Sequence, residues 1–336
     1  MISVQIFLSM TAVWPTINAA CKRYRYKGNK NKEQGVGGLR EIKKKHRKKG
    51  LEGLTGYAMI APFFILLTLF VIIPIIINIF LSFTNYNMRE ITFVGLRNYR
   101  DLFKDKLFGI AFKNTLFYTV FNVIFTMIIS FFLAVFLNRN SWVTKFTRSC
   151  MYIPYVTSMV VAAMIWLWMY EPSGGVFNEI LKALGLQPVN WLLQKSTALP
   201  CIIAMNVWKG IGYNMVLFLA ALQGVPASLY EAAAMDGAKG WTKIRYITIP
   251  MIQPIIFFVF ITNIINSFNV FESVTVMTSE GPLNSTTTLV HQIYTRSFTE
   301  YKVGYGSAIA MVLSVFVLLF TFLSFRFGSQ GNDTGN

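Results

Sequence analysis

Apolar residues fall into six long runs separated by polar stretches, at residues 57–83, 114–137, 151–170, 199–222, 251–277 and 304–325. A bilayer core about 30 Å thick needs roughly 20 helical residues to cross it, and every run is long enough. Four of the runs carry no charge; the fourth contains only Lys209 and the fifth only Glu272. In lipid, helices alone satisfy every backbone group without closing a barrel. The pattern predicts an all-α polytopic membrane protein with six transmembrane helices and both termini on one side. Residues 1–50 are expected to be a basic, flexible tail, 51–326 the transmembrane domain, and 327–336 a short C-terminal tail.

Composition agrees with the pattern. Of 336 residues, 54% are hydrophobic and 13% charged, against about a quarter charged in soluble domains. A formal charge of +17 would suit nucleic acid, but 13 of the 31 Lys and Arg lie in residues 22–49. Such a cluster ahead of a membrane helix is the mark of a cytoplasmic anchor on anionic lipid. No nucleic-acid motif accompanies it. With the N-terminus inside, 20 Lys and Arg lie inside and 10 outside; without the tail the balance reverses, 7 to 10. The cluster from Arg40 to Lys49, close to the first span, decides the orientation. Residues 1–20 lack the basic opening and unbroken apolar stretch of a signal peptide. Cys21, Cys150 and Cys201 suit neither a disulfide framework nor a zinc site.

Between the fourth and fifth runs lies a moderately polar island, residues 224–250. Ser228 and Glu231 have capping-box spacing, which predicts a short helix from Leu229. Ala232, Ala233 and Ala234 extend it, and Gly237 is placed to end or bend it. A second short helix is expected over 241–248, with Pro250 marking entry into the next span. Alone, this chemistry serves equally for a capped loop helix and for a smooth face that another protein approaches.

Glu231-Ala232-Ala233, three residues, Gly237, nine residues, then Ile247-Thr248-Ile249-Pro250 resembles the EAA loop of importer-type ABC permeases. Ile249 stands where that family usually has Leu. The resemblance implies that Glu231, Ala232, Ala233, Asp236, Gly237, Ile247 and Pro250 couple the chain to a cytoplasmic ATPase subunit. Phe93 to Tyr99 (Phe-Val-Gly-Leu-Arg-Asn-Tyr) resembles a segment of the maltose-transporter-type, carbohydrate-importing branch. So does Gly281-Pro282 followed by Ser285-Thr286, although Glu280 replaces a usual Gly. The likeness covers about residues 57–326, and the family's transmembrane core would fall at about 112–325.

Polar side chains within the spans are costly and normally face protein or a cavity. Thr262, Asn266, Asn269 and Ser273 are spaced four, three and four, which puts them on one stripe of a helix. Asn206, Lys209 and Tyr213 form another. Asn206 and Asn269 should lie about 10–12 Å below the outer end, and Lys209 and Asn266 about 15 Å. Two stripes at one depth suit a shared hydrophilic chamber; the competing role is interhelical hydrogen bonding. Asn269, in Phe268-Asn269-Val270-Phe271, resembles the stretch where sugar permeases contact substrate. For Lys209 the options are an ion pair with Glu272, which is preferred, or attraction of an anionic substrate. His46 and His291 have no partner in sequence that suggests catalysis or metal, and both are expected at the surface.

The resemblance implies the permease subunit of a binding-protein-dependent sugar importer. No Gly-x-x-x-x-Gly-Lys-Ser/Thr loop is present, so the chain is expected to be no enzyme and to hold no cofactor, ATP and Mg residing in partner subunits. Implied partners are a second, non-identical permease, two ATPase subunits, an extracytoplasmic sugar-binding protein, the sugar and membrane lipid. A permease for glycerol phosphate or another polar solute is the alternative. An intramembrane enzyme would need clustered His, Asp or Glu at depth, and only Lys209 and Glu272 are available.

Overall fold

A computed structural model describes residues 59–328. The basic tail, its lysine cluster and the C-terminal residues 329–336 lie outside the described residues. Two compact units divide the chain, residues 1–81 and 82–336. The described part of the first is helix α1 (Met59–Ser82), whose last residue opens the second unit. A π-type turn at Thr68–Ile72 interrupts α1, with Ile73 N–H bonding the Thr68 carbonyl. Pro74 follows at once and has no N–H to give, so the wider turn absorbs the missing rung.

The second unit is also helical. Among the described residues the only β pairing is one bridge, Thr84 with Phe93. Its elements are α2 (Arg97–Lys104), α3 (Lys106–Leu137), α4 (Trp142–Val156), α5 (Met159–Met169), α6 (Val176–Ala183) and α7 (Ala198–Gln223). After them come α8 (Ala227–Met235), α9 (Gly240–Met251), α10 (Gln253–Phe268), α11 (Glu272–Met277), α12 (Leu289–Tyr294) and α13 (Val303–Gly328). Helix α3 has 32 residues, about 48 Å of helix. It starts earlier than the apolar run because Asp105 caps it, accepting from Leu107 N–H at 2.8 Å.

Among the described residues, four helices are long and apolar enough to cross a membrane: α1, α3, α7 and α13. Two bent pairs, α4 with α5 at 100° and α9 with α10 at 73°, also reach that length and apolarity when each is taken together. Six spans result when each pair is one crossing. The third and fifth runs are thus not the continuous helices that their composition predicts. In the third, Pro154 occupies the last turn of α4, and Thr157 and Ser158 adopt extended ψ values of 150° and 140°. In the fifth, the helix stops at Phe268 and restarts at Glu272.

Helix α7 is the centre of the packing, with α3, α4 and α10 laid against it. One apolar cluster gathers Leu199, Ile202, Met205 and Val207 with Tyr118, Tyr170, Val274 and Met277. A second gathers Met215, Phe218, Leu219 and Leu222 with Ala134, Leu137, Ile252 and Val259. Between the two, α7 buries Asn206, Lys209 and Asn214. A polar belt therefore separates two apolar cores.

Candidate functional site

Residues 224–250 form a hairpin of two short helices, α8 and α9. Helix α8 begins at Ala227, two residues before the predicted start, with Pro226 at its N-cap and no side-chain cap bond. The Ser228–Glu231 capping box does not form, because Ser228 already lies inside the first turn. At the other end Ala238 N–H reaches the Ala233 carbonyl at 2.8 Å and Gly237 N–H the Ala234 carbonyl at 3.1 Å. That pair of bonds is the Schellman ending. Gly237 supplies it with φ +74°, a conformation that a β-branched residue resists. The second helix runs from Gly240 to Met251, longer than predicted, and takes a π-type turn at Ile244–Thr248 just ahead of Pro250.

A hydroxyl pair ties the two helices together, Tyr230 Oη to Thr248 Oγ1 at 3.0 Å. The outward face is left open. Glu231, Ala232, Asp236, Gly237 and Pro250 are exposed, and Ala233 and Ile247 half-buried. Large apolar side chains share that exposure: Met235 at 89%, Tyr246 at 69% and Trp241 at 61%.

The seven predicted path residues part company. Asn206 Nδ2 donates to Ser273 Oγ at 3.0 Å and to the Ile202 carbonyl at 2.9 Å, so two stripes do meet, but as a direct bond. Buried Lys209 donates to the carbonyls of Pro154, Tyr155 and Thr157 at 2.9, 3.0 and 2.5 Å, and these bonds replace the expected ion pair with Glu272. Tyr213 stacks on Tyr155 with ring centroids 4.6 Å apart. Thr262 and Asn269 are half-buried and bond to carbonyls of their own helix. Asn266 is exposed, as is Glu272. The single stripe expected on the fifth span ends at the Asn269–Phe271 break, which turns Ser273 into the core and leaves Asn266 outside.

Other belt residues have no counterpart among those predictions. Asn214 and Asn263 exchange amide bonds at 2.8 and 3.2 Å, joining α7 to α10. Asn122 Nδ2 donates to Ser267 Oγ at 2.9 Å, joining α3 to α10. Along α3, Thr115, Thr119, Asn122, Thr126 and Ser130 are all buried. Their spacing of four, three, four and four was a signal available in the sequence. Thr119 Oγ1, Asn122 Oδ1 and Thr126 Oγ1 have no hydrogen-bond partner.

The end of the unit away from the hairpin is fastened by charge. Arg296 binds both Glu300 oxygens at 2.7 and 2.8 Å and reaches Asp105 at 3.3 Å, and Tyr305 Oη donates to Asp105 at 3.0 Å. A cleft of about 390 Å³ opens beside them, lined also by Arg97, Asp101 and Lys302. Burial opposes the Arg296 charge, but the bonds and charge of Glu300, then Asp105, hold its pKa above the usual arginine value. Burial likewise opposes the Glu300 charge, yet Lys302 and Arg296 keep that carboxyl below the ordinary range. His291, expected at the surface, is instead buried at the packed α12 end, 3.4 Å from Glu280; burial pushes it below the usual histidine value, partly offset by that carboxylate. The segment from Phe93 to Tyr99 is a staple of the same end: Asn98 donates to the Ser82 and Thr84 carbonyls, and Tyr99 to Ser82 Oγ.

The arabinooligosaccharides transport system permease protein AraP of Bacillus subtilis is 34% identical over 284 residues, covering 83% of this chain and 90% of that protein. The sn-glycerol-3-phosphate transport system permease protein UgpA of Pectobacterium atrosepticum is 31% identical over 274 residues, covering 81% and 92%. A crystal structure of a bacterial alginate ABC transporter, in complex with an alginate pentasaccharide-bound periplasmic protein, superposes with a TM-score of 0.76 at 26% identity, covering 86% of this chain and 99% of that one. The family described as binding-protein-dependent transport system inner membrane component matches residues 126–328. On this evidence the chain is a multi-pass membrane protein and belongs to that family of ABC transporter permeases.

Proposed function

We propose that the chain is the permease subunit of an ATP-driven importer of di- or oligosaccharides. The carrying observation is the polar face of α10. Thr262, Asn266 and Asn269 occupy one side of a membrane-crossing helix, and Asn266 is exposed on it. Amides facing lipid are costly, so such a face belongs against a second subunit or a watery path. Hydroxyl-rich solutes suit a lining of amides and rings, here Asn266, Asn269 and the Tyr213–Tyr155 pair.

ATP and Mg belong to separate ATPase subunits, which dock on the hairpin through Glu231, Ala232, Ala233, Asp236, Gly237, Ile247 and Pro250. The permease itself is no enzyme. Two permease chains enclose the path, the second a related, non-identical one, and an extracytoplasmic binding protein delivers the sugar. The hairpin and both termini face the cytoplasm, and the end bearing Arg296 and Asp105 faces outward. Closure of the ATPase pair then favours one access state through differential contact with the hairpin.

Glycerol phosphate is the second reading, supported by the likeness to UgpA. Against it, the Lys209 ammonium is fully engaged by carbonyls, which favours an uncharged solute. Uptake by the reconstituted complex, with labelled saccharides and sn-glycerol 3-phosphate supplied beside their binding proteins, separates the two. Saccharide uptake driven by ATP is expected. Uptake of the phosphate ester alone would transfer the assignment to the second reading.

A further inference from the structure

The break in the third span raises a question of backbone chemistry. Helix α4 ends at Val156, and the last carbonyls of any helix have no partner within it. Inside a membrane no bulk water supplies one, so the donors must come from protein. Lys209 supplies three, and Thr157 Oγ1 adds one to the Pro154 carbonyl at 2.7 Å. It sits 11 residues from one end of α7 and 14 from the other, so the elbow lies near mid-depth. An ammonium has three N–H donors, and the Pro154, Tyr155 and Thr157 carbonyls take all three. The positive charge also faces the negative end of the α4 dipole. No donor is left for a ligand, so Lys209 is built into the elbow and not into a binding surface.

Two neighbours on α7 reinforce the join. Gly212 lies so close to Met151 that a Cβ there would overlap the Met151 carbonyl. Tyr213 stacks on Tyr155. Beyond the elbow, α5 packs against α11, which carries Ser273. In the other direction α7 ends at Gln223, four residues before α8 begins.

We propose that Lys209 is the pin of this elbow, a positioning residue that makes α4 and α7 travel as one body when the hairpin moves. Displacement of the hairpin passes along about 21 Å of α7 to the elbow, and from there through α5 to α11 and the polar face. The inference rests on the hairpin as the element that an ATPase moves.

The test uses the full complex in vesicles with its ATPase subunits and binding protein. With Lys209→Met, ATP hydrolysis should persist while the maximal uptake rate falls about tenfold at unchanged KM, and Lys209→Arg should restore most of the rate. A raised KM at full maximal rate would assign Lys209 to substrate contact and overturn the pin, as would unchanged uptake. Spin labels at the exposed positions Val156 and Gln223 read the join directly. One distance held in nucleotide-free and ATP-bound complexes supports a single body; a distance that changes between them overturns it, even if the Met variant never reaches the membrane. If no ATPase contacts the wild-type hairpin in crosslinking, the docking reading fails, whereas the label distance still judges the join.

Discussion

The hairpin and the polar belt invert one another. The belt buries amides, hydroxyls and a cation in the middle of a membrane protein and bonds most of them to each other, as in Asn206–Ser273 and Asn214–Asn263. The hairpin exposes Met235, Trp241 and Tyr246 and has a single side-chain bond between its two helices. Burying polar groups is costly unless they are paired, and exposing large apolar ones forfeits their burial. Most of the belt is thus paired within this chain, while the hairpin leaves large apolar side chains uncovered. One region holds the fold together, and the other leaves its outward face open.

That contrast breaks first at the two glycines. Gly212→Val must push α7 off the Met151 backbone, and it should destabilise the folded protein by more than about 4 kcal/mol. Loss of the monodisperse species in detergent chromatography would register it. Gly237→Val meets only the strain of φ +74°, about 1–2 kcal/mol confined to an exposed turn. Its melting transition should stay near wild type while ATP-driven uptake falls about tenfold. Equal damage from both substitutions would erase the distinction between the regions.

Smaller effects sharpen it. Asn214→Leu and Asn263→Leu should each cost about 0.6–2 kcal/mol. The double variant should cost less than the sum, since either change alone strands the other amide in the core; additive melts would show that the pair is not a unit. The smallest effect concerns His291. Burial lowers its folded pKa, so as pH falls below about 6.5 the unfolded chain takes up the proton first. The contribution is fully present above that value and is lost as pH drops through the folded one. Melting points at pH 7.5 and 5.5 should differ less in His291→Gln than in wild type.

What could be read in the sequence depended on how local its cause was. The hairpin was legible because Gly237 and the alanines act within a turn or two of chain. Its capping box was a local false signal: Ser228 and Glu231 have the spacing, but Pro226 starts the helix two residues sooner. The third span's break had one local signal, Pro154, which a helix end can also tolerate; neither glycine nor charge marks residues 157 and 158, and the lysine that binds the end of α4 stands more than 50 residues away. Nor did anything near Asn269 announce that the stripe on the fifth span would split. The α3 stripe was written plainly at helical spacing, yet threonines raise no alarm in an apolar run.

The bond between Tyr230 and Thr248, with the glycine-made ending of α8, means that the hairpin is already shaped before anything grips it. Under the docking proposed above, association with a motor subunit would require little ordering of chain, since the backbone entropy has been lost during folding and not at the interface. Each cycle of that proposed engagement and release would then proceed without refolding the hairpin.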